Sequence, residues 1–479
     1  MIFATFYKTS ATLFPARRLR FPAGWADHSF PSASTPALIL VTMKTTAAAS
    51  APFTEPAREL PVLDEADVLV LGAGPGGVAA AVAAARNGAR VILVERFGTF
   101  GGTWTSGHLG AIMPFPYVRG LFAEISDHLR TEAAWLSSKD EYGSGATYDI
   151  ETAKIVLDRL VVEAGVRPYF FAQVAGVFRE GNRVRGVAIE SKEGRHALAG
   201  RFVIDATGDG DVSVLAGVPS SQGRDSDHGC QPMTMIFTMD GADDARASAY
   251  KKEDPSFARA WRAAKARGEI TVPREDVLPF NMPRPGQWSF NVTRIINRDP
   301  TKLLDVTEAM LEGRRQVAEV VAFLRKHVPG YENAYLSGMA PHIGVRESRR
   351  IKCDYTITAD DVIKVPEFDD CIARGNWFID IHNPSGEGTE RIHPPAGRWY
   401  EIPYRSIRAQ GVDNLLVASR CIDSTHEAHA AIRITPQVVA IGQGAGTAAA
   451  LCVRQDLAST RALDPAGLRR TLREQGAFV

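Results

Sequence analysis

The chain has 479 residues, which is too long for one ordinary core and predicts two connected domains or one domain carrying a large insertion. Its 55 Lys and Arg balance its 55 Asp and Glu, and no long block of one sign occurs. The composition therefore gives no electrostatic case for nucleic acid or an anionic membrane as partner, and we expect a small-molecule substrate.

The cysteines give no sign of a disulfide framework or a metal site, because five is an odd number and their spacing shows no CxxC or zinc-like pattern. A reducing, cytoplasmic location fits this usage, and we expect no bound metal. No apolar run approaches the roughly 20 residues that span a bilayer, so no membrane span is expected. Arg17-Arg18 lacks the apolar segment that an export signal requires.

Residues 1–63 mix Pro, Ser, Thr and Ala without a sustained period. This pattern predicts a disordered leader or a misassigned start, with Met43 as an alternative initiator. Residues 67–71 (DVLVL) then read as a short buried strand, residues 76–87 as an Ala-rich helix closed by Gly88, and residues 90–95 (RVILVE) as a second strand. Together they predict a βαβ unit.

The later periodic segments predict three further helices and four further strands. The helices are expected at 152–163, 306–327 and 436–454, and the strands at 174–177, 184–190, 201–205 and 414–418. Residues 226–399 differ in character, with the apolar PMTMIFTM and a proline-rich stretch at 278–285. We interpret them as mostly a substrate domain inserted between two parts of a cofactor domain, 64–225 and 400–479.

A glycine motif marks the turn between the first strand and helix. Gly72, Gly74 and Gly77 fit GxGxxG, and Glu95 closes the second strand. Gly72 permits the tight turn, Gly74 lets the backbone approach a pyrophosphate, and Gly77 lets helix and strand pack closely, while Glu95 suits ribose hydroxyls. FAD and NAD both contain this adenosine ribose, so the motif alone leaves both open.

Further motifs resemble the FAD-dependent oxidoreductases whose cofactor domain is like that of glutathione reductase, over nearly all of residues 67–455. Glu95-Arg96 followed by Gly101-Gly102-Thr103 is similar to the family's segment beneath the ribitol, and Ala206-Thr207-Gly208 to its second strand and ATG turn. Residues 342–349 (HIGVRESR), 379–382 (IDIH) and 414–421 (NLLVASRC) are similar to a group known only as FAD-dependent oxidoreductases.

The resemblance implies FAD as cofactor, but it carries no single reaction or substrate. It implies an α/β fold, in which a Rossmann-like FAD-binding domain has a parallel sheet flanked by helices and a small β-meander, with an inserted α+β substrate domain. The cofactor-binding residues that follow are Gly72, Gly74, Gly77, Glu95, Arg96, Gly102, Thr103, Val174, Ala206, Thr207, Gly208, Arg420 and Pro436.

Thr435-Pro436 predicts a helix start, with Thr435 as N-cap and Pro436 at the first helical position, and Gly442, Gly444 and Gly446 thin the helix beyond it. In the family this helix points its N-terminus at the flavin, where its dipole would stabilise the negative charge that reduction places on the ring. The alternative is a close-packed core helix without such a role.

His426, His429 and Arg433 cluster just before that helix. His429 or His426 could act as base while a hydride leaves the adjacent substrate carbon, and Arg433 could orient a polar group. The alternative for each histidine is that it binds the cofactor or braces the loop through hydrogen bonds.

Two more side chains are candidates for the substrate site. Arg346 could present a bidentate fork to a substrate carboxylate, or instead pair with Glu347 or with cofactor phosphates. His382 lies in the polar segment 380–386, which is interpreted as a loop that lines the pocket or merely covers the surface.

The hypothesis is an FAD-dependent oxidoreductase that exchanges a hydride between flavin N5 and a small organic substrate, with an unknown electron donor or acceptor. A CxxxxC redox pair after the first helix and a second GxGxxG are both absent from the sequence, so disulfide reduction and a separate nicotinamide domain are not expected. The alternatives are a flavin-dependent monooxygenase and a non-redox FAD-binding protein.

Overall fold

The computed structural model describes residues 53–113, 119–140 and 143–479. The predicted leader at 1–63 lies outside the described residues up to position 52. Residues 53–61 form no helix or strand, and the first strand begins at Val62.

The described chain is a mixed α/β protein. Its strands are β1 (Val62–Leu71), β2 (Val91–Glu95), β3 (Ala111–Ile112), β4 (Trp135–Asp140), β5 (Gly143–Tyr148), β6 (Arg167–Phe170), β7 (Gln173–Glu180), β8 (Arg183–Ser191), β9 (Gly194–Asp205), β10 (Ser220–Gln222), β11 (Phe237–Asp240), β12 (Pro279–Asn281), β13 (Trp288–Phe290), β14 (Tyr335–Met339), β15 (Arg349–Ile351), β16 (Cys371–Gly375), β17 (Ile379–His382), β18 (Thr389–Ile392), β19 (Tyr400–Pro403) and β20 (Leu415–Val417).

Its helices are α1 (Pro75–Arg86), α2 (Gly120–Thr131), α3 (Ile150–Glu163), α4 (Asp211–Leu215), α5 (Asp244–Glu253), α6 (Ala258–Ala266), α7 (Leu303–His327), α8 (Ala359–Lys364), α9 (His426–Ile432), α10 (Thr435–Arg454) and α11 (Pro465–Glu474). The predicted strands and helices are thus all present, most of them longer than the sequence pattern indicated.

The central sheet is parallel in the order β6-β2-β1-β9-β20, and Leu71 and Val417 both pair with Asp205. Residues 68–71 of β1 are fully buried, as expected for a parallel strand covered on both faces. The first half of β9 also pairs with β8, which pairs with β7, and this forms the expected antiparallel meander. That second pairing is why β9 begins at Gly194 rather than near residue 201.

Helices α1 and α10 cover one face of this sheet with their backbones in contact. A Cβ on Gly442 would lie 2.1 Å from the Gly76 carbonyl oxygen, and one on Gly446 would lie 2.0 Å from the Ala80 carbonyl oxygen. By length and hydropathy α10 alone among the described helices could cross a membrane, but 89% of its most apolar window is buried inside the protein. This is the environment of a core helix.

A second hydrophobic core lies around the antiparallel sheet β12-β13-β11-β14. Helices α6 and α7 pack over it, with the Trp261 and Phe323 rings 5.1 Å apart in an edge-to-face arrangement. This core extends to about Ile343, whereas Ile351 and Ile379 belong to the first core. The division of the chain into domains stays a prediction.

Two local expectations are wrong. Ile434, not Thr435, is the N-cap of α10, and no side chain caps this helix, so the amide N–H groups of its first turn have no side-chain partner. Residues 380–382 form strand β17 rather than a loop, because they pair with β18 in register from Ile379–Ile392 to His382–Thr389.

Candidate functional site

A cleft opens where the carboxyl ends of β1, β9 and β20 meet, and its floor is the glycine turn. Gly72 has φ +95°, and a Cβ there would meet the Ala206 carbonyl oxygen at 2.4 Å. A Cβ on Gly77 would lie 1.8 Å from the Gly72 carbonyl oxygen. Gly74 differs, because a Cβ there would meet no atom within 4 Å although the residue lines the cleft. We call this space the glycine cleft.

Glu95 forms one side of the glycine cleft and is 6% exposed. Its carboxylate accepts hydrogen bonds from the Ala73 N–H at 2.7 Å and the Phe97 N–H at 3.0 Å. Burial raises the pKa of Glu95, and these two backbone hydrogen bonds oppose that shift. Each oxygen keeps a second lone pair, so the carboxylate can also accept from ribose hydroxyls.

The opposite wall is the turn after β9. Thr207 donates from its N–H and hydroxyl to Asp205 Oδ1, at 3.1 and 2.7 Å, which fixes the turn. Asp209 accepts from Arg420 and from the Ser348 hydroxyl, each at 2.5 Å. Burial opposes ionisation of Asp209, but the Arg420 charge and the Ser348 hydrogen bond prevail and lower its pKa. Arg420 is therefore held against the cleft by a carboxylate.

The residues present fit FAD. The cleft combines side-chain-free backbone at Gly74, a buried carboxylate at Glu95 and the uncapped start of α10. His342 donates from Nδ1 to the Ile343 carbonyl oxygen at 2.9 Å, while its Nε2 is buried without a hydrogen-bond partner among the described residues. Such an acceptor suits a hydroxyl or N–H of the cofactor.

Most of the predicted cofactor residues line the glycine cleft, and Gly77 and Pro436 are the two that do not. Gly77 lies in α1 and allows that helix to pack closely, and Pro436 is the second residue of α10. Those that line the cleft are Gly72, Gly74, Glu95, Arg96, Gly102, Thr103, Val174, Ala206, Thr207, Gly208 and Arg420.

A second cavity of about 390 Å³ adjoins the glycine cleft. We call it the arginine cavity, because arginines dominate its polar lining: Arg274, Arg346, Arg391, Arg420 and Arg433. Apolar and aromatic side chains form another part of the lining, among them Leu278, Phe280, Trp377 and Phe378. Residues common to both cavities are Thr103, Val345, Arg420, Arg433 and Thr435.

Asp380 anchors one side of the arginine cavity. Its carboxylate lies 3.5 Å from Arg391 Nε, 3.8 Å from Arg433 Nη2 and 3.4 Å from His382 Nε2. Burial opposes its ionisation, but the His382 hydrogen bond and the two arginine charges lower the pKa of Asp380. Asp380 is therefore an anion that orients its neighbours.

His382 is neutral in this arrangement. Its Nδ1 lies 3.2 Å from Arg294 Nη2, and since a guanidinium only donates, Nδ1 must be the acceptor. The proton then resides on Nε2, which faces Asp380. Burial and the charge of Arg346 lower the pKa of His382 to about 3.

His426 and His429 line neither of these two cavities. His426 Nδ1 lies 2.8 Å from the buried Glu347 carboxylate, and His429 donates from Nε2 to the Arg346 carbonyl oxygen at 3.1 Å. Burial, opposed by Glu347, lowers the pKa of His429 to about 3. The geometry thus supports bracing of the segment that carries Arg346, and a direct catalytic role for either histidine stays a prediction.

Sequence reasoning missed several residues that line the arginine cavity, among them Arg274, Asp276, Trp377, Phe378 and Arg391. These residues come from separate loops and strands and form no local motif. Within the described residues, no group of three or more His, Cys, Asp or Glu is placed to hold a metal ion.

Comparison with known proteins agrees with this geometry. The model of the family described as FAD dependent oxidoreductase matches residues 67–472. Digeranylgeranylglycerophospholipid reductase 1 of Methanopyrus kandleri is 31% identical over 160 residues, which cover 30% of this chain and 40% of that protein. Thiamine thiazole synthase of Methanococcus maripaludis is 30% identical over 154 residues, covering 30% and 56% respectively. The chain thus matches about half or less of these relatives' lengths.

Among solved structures, a geranylgeranyl bacteriochlorophyll reductase-like protein of Thermoplasma acidophilum is 14% identical, with a TM-score of 0.48 over 86% of this chain and 84% of that one. The family match extends across both cavities, from the first sheet strand to the last helix. The chain belongs to the FAD dependent oxidoreductase family and is an enzyme whose cofactor is FAD.

Proposed function

We propose that the enzyme exchanges a hydride between flavin N5 and a carbon of a small organic substrate bound in the arginine cavity. The observation that carries this proposal is that the glycine cleft and the arginine cavity meet at shared residues, including Thr103, Arg433 and Thr435. A redox cofactor in the first cavity and a substrate in the second would then be in contact.

Residues of the glycine cleft would hold the adenosine end of FAD, with Glu95 at the ribose and Gly72 and Gly74 at the pyrophosphate. We also propose that this domain is of the glutathione-reductase-like kind. When bound, FAD supplies a carrier for two electrons and a proton. The uncapped first turn of α10, at Thr435 where the cavities meet, would stabilise negative charge at the redox end of the cofactor.

Arg433 would orient the substrate against the cofactor. It lines both cavities, and its Nη2 lies 3.4 Å from the Asp380 carbonyl oxygen and 3.8 Å from the Asp380 carboxylate. Its Nε is buried without a hydrogen-bond partner among the described residues, so one donor is available to a ligand. His382 is assigned a positioning role, because Arg294 occupies its Nδ1 and Asp380 its Nε2 side.

The relatives' activities do not identify the substrate, because their matches cover less than a third of this chain. A reducing, cytoplasmic location and an unidentified electron partner belong to the same proposal. The location is supported by the five cysteines, all of which are described and none of which is in a disulfide.

The test is an anaerobic screen of the holoenzyme by visible absorbance, run in both redox directions. Candidate substrates are mixed with oxidised enzyme to seek bleaching of the flavin band, and with chemically reduced enzyme to seek its return. Bleaching or recovery without oxygen is expected. Oxygen uptake driven by NAD(P)H and stimulated by substrate, with no anaerobic change, would contradict the proposal and indicate a monooxygenase. A flavin that responds to no donor or acceptor would indicate a non-redox protein.

A further inference from the structure

The arginine cavity carries more positive than negative charge. Asp276 faces Arg274 at 3.4 Å, and Asp380 faces both Arg391 and Arg433. Arg420 is already paired with Asp209 on the side of the glycine cleft. Each of these four arginines thus lies within 4.0 Å of a carboxylate, and Arg346 is the remaining arginine of the lining.

The contacts of Arg346 are of another kind. Its Nη1 donates to the Pro232 carbonyl oxygen at 2.7 Å and its Nη2 to Asn291 Oδ1 at 3.1 Å, both neutral acceptors. No carboxylate of the described residues lies within 4.0 Å of it. A guanidinium keeps its proton in proteins, so this charge is compensated only by distant groups or by a ligand.

Burial and the neighbouring charges of Arg433, Arg274 and Arg294 lower the pKa of Arg346. Several positive charges therefore lie close together in a buried part of the protein. An anion placed among them would gain more than it would at the protein surface, because the low local dielectric strengthens each attraction.

One part of the cavity lining is apolar. Leu278, Phe280, Trp377 and Phe378 line it, and the Trp377 and Phe378 rings stack with centroids 4.3 Å apart. A free inorganic anion would leave this surface in contact with water. The lining therefore fits a molecule that has one anionic end and an apolar body.

Resting on the proposed function, we propose that the substrate is an organic carboxylate with an apolar or aromatic body. Arg346 and Arg433 bind the carboxylate by hydrogen-bonded forks, and the aromatic side of the cavity packs against the body. Arg433, which lines both cavities, directs the carbon next to the carboxylate towards the cofactor.

Binding is measured on oxidised holoenzyme by titration calorimetry and by perturbation of the flavin absorbance, so no turnover is required. The probes are benzoate, phenylacetate and octanoate, each beside its neutral amide, and inorganic phosphate. Carboxylates are expected to bind at least about tenfold more tightly than their amides and than phosphate. Equal binding of carboxylate and amide, tighter binding of phosphate, or binding of none of the carboxylates would overturn the proposal.

Arg346→Gln is expected to weaken carboxylate binding by about ten- to a hundredfold and to leave amide binding unchanged. The carboxylate affinity of Arg346→Lys should lie between those of wild type and Arg346→Gln, because lysine keeps the charge but cannot donate two parallel hydrogen bonds. Arg185→Gln, at an exposed arginine of β8, is the matched control, and retained FAD absorbance shows that each variant is folded. Equal loss of carboxylate and amide binding in Arg346→Gln would overturn the assignment of Arg346.

The outcomes separate this inference from the proposed function. Selective carboxylate binding without any anaerobic flavin change would keep the inference and remove the hydride exchange. Anaerobic bleaching by neutral compounds, with no preference for carboxylates, would keep the hydride exchange and remove the inference.

Discussion

At the scale of single residues, Gly74 and Gly72 differ in what a methyl group would meet. Gly74 has φ −67° and ψ −175°, an extended conformation open to alanine, and its added Cβ touches no protein atom. Gly72 has φ +95°, and its Cβ would meet the Ala206 backbone. The first substitution therefore affects only a ligand, and the second affects the fold.

We expect Gly74→Ala to leave the stability of the apoprotein within about 0.5 kcal/mol of wild type. Its methyl group would occupy the side of the cleft where the pyrophosphate binds, and FAD affinity should fall about tenfold or more. Gly72→Ala should instead lower the free energy of unfolding by about 1–3 kcal/mol. Denaturant unfolding and FAD titration measure the two effects. A Gly74→Ala protein that binds FAD as wild type does would be incompatible with the pyrophosphate at this position.

His429 gives a prediction about pH. Its folded pKa of about 3 lies below the ordinary histidine value near 6.5, so the unfolded chain binds the extra proton first on acidification. The stabilising effect of keeping His429 neutral is fully present above pH about 6.5 and is lost as the pH falls towards 3.

His429→Asn should therefore make the loss of unfolding free energy between pH 6 and 4 shallower by up to about 1.4 kcal/mol per pH unit, the contribution of one proton. Denaturant unfolding of the holoenzyme across this range measures the slope. His228→Asn, at an exposed side chain, is the matched control for the substitution itself. An unchanged slope in His429→Asn would show that folding does not lower the pKa of this histidine.

The residues of the two cavities were predictable to different degrees. Those around Gly72, Glu95 and Ala206 follow strands directly, so local patterns place them at one edge of the sheet. Arg274 and Arg391 come from distant segments that meet only in the folded chain, and their spacing carries no signal. The sequence placed His429 near the substrate because of its position along the chain, whereas the structure turns it towards the Arg346 backbone.

At the scale of elements, the contact of α1 with α10 rests on glycines. Gly446→Ala would place a methyl group against the Ala80 carbonyl oxygen, where neither backbone can yield without separating the helices. We expect a loss of about 1–3 kcal/mol in the free energy of unfolding. The same substitution at Gly467 in α11 meets only the ends of the Asp464 and Arg470 side chains, and it should be neutral or slightly stabilising through helix propensity. Equal effects in the two variants, measured by denaturant unfolding, would contradict the close packing.

The start of α10 shows how far element prediction reaches. Pro436 indicated a helix start within one residue, but the capping role expected of Thr435 is wrong, and the first turn has no side-chain cap. A side-chain pattern cannot distinguish a capped start from one whose N–H groups serve a ligand. The prediction of a loop at 380–382 was also wrong. The strand partner of this segment, β18, is short and mostly exposed, so no buried apolar pattern indicates the pairing.

At the scale of the whole molecule, the parallel half of the fold was predictable and the second sheet was not. Strand β2 and the carboxyl-terminal ends of β1 and β9 are buried apolar runs, with a helix between β1 and β2, a pattern typical of doubly wound folds. Strand β11 pairs with β13 and β14, which lie about 50 and 100 residues further along the chain and are three to five residues long. Such non-local pairing of short strands leaves no periodic signal.

The proposed roles of both cavities depend on FAD binding in the glycine cleft. The cofactor content of the purified protein tests this most directly. The visible spectrum is recorded, the protein is denatured, and the released cofactor is identified by chromatography and quantified per chain. We predict flavin absorbance and the release of about one FAD per chain on denaturation, either from the protein as purified or after reconstitution with FAD. A colourless protein that cannot be reconstituted with FAD, or one that releases NAD instead, would contradict the account.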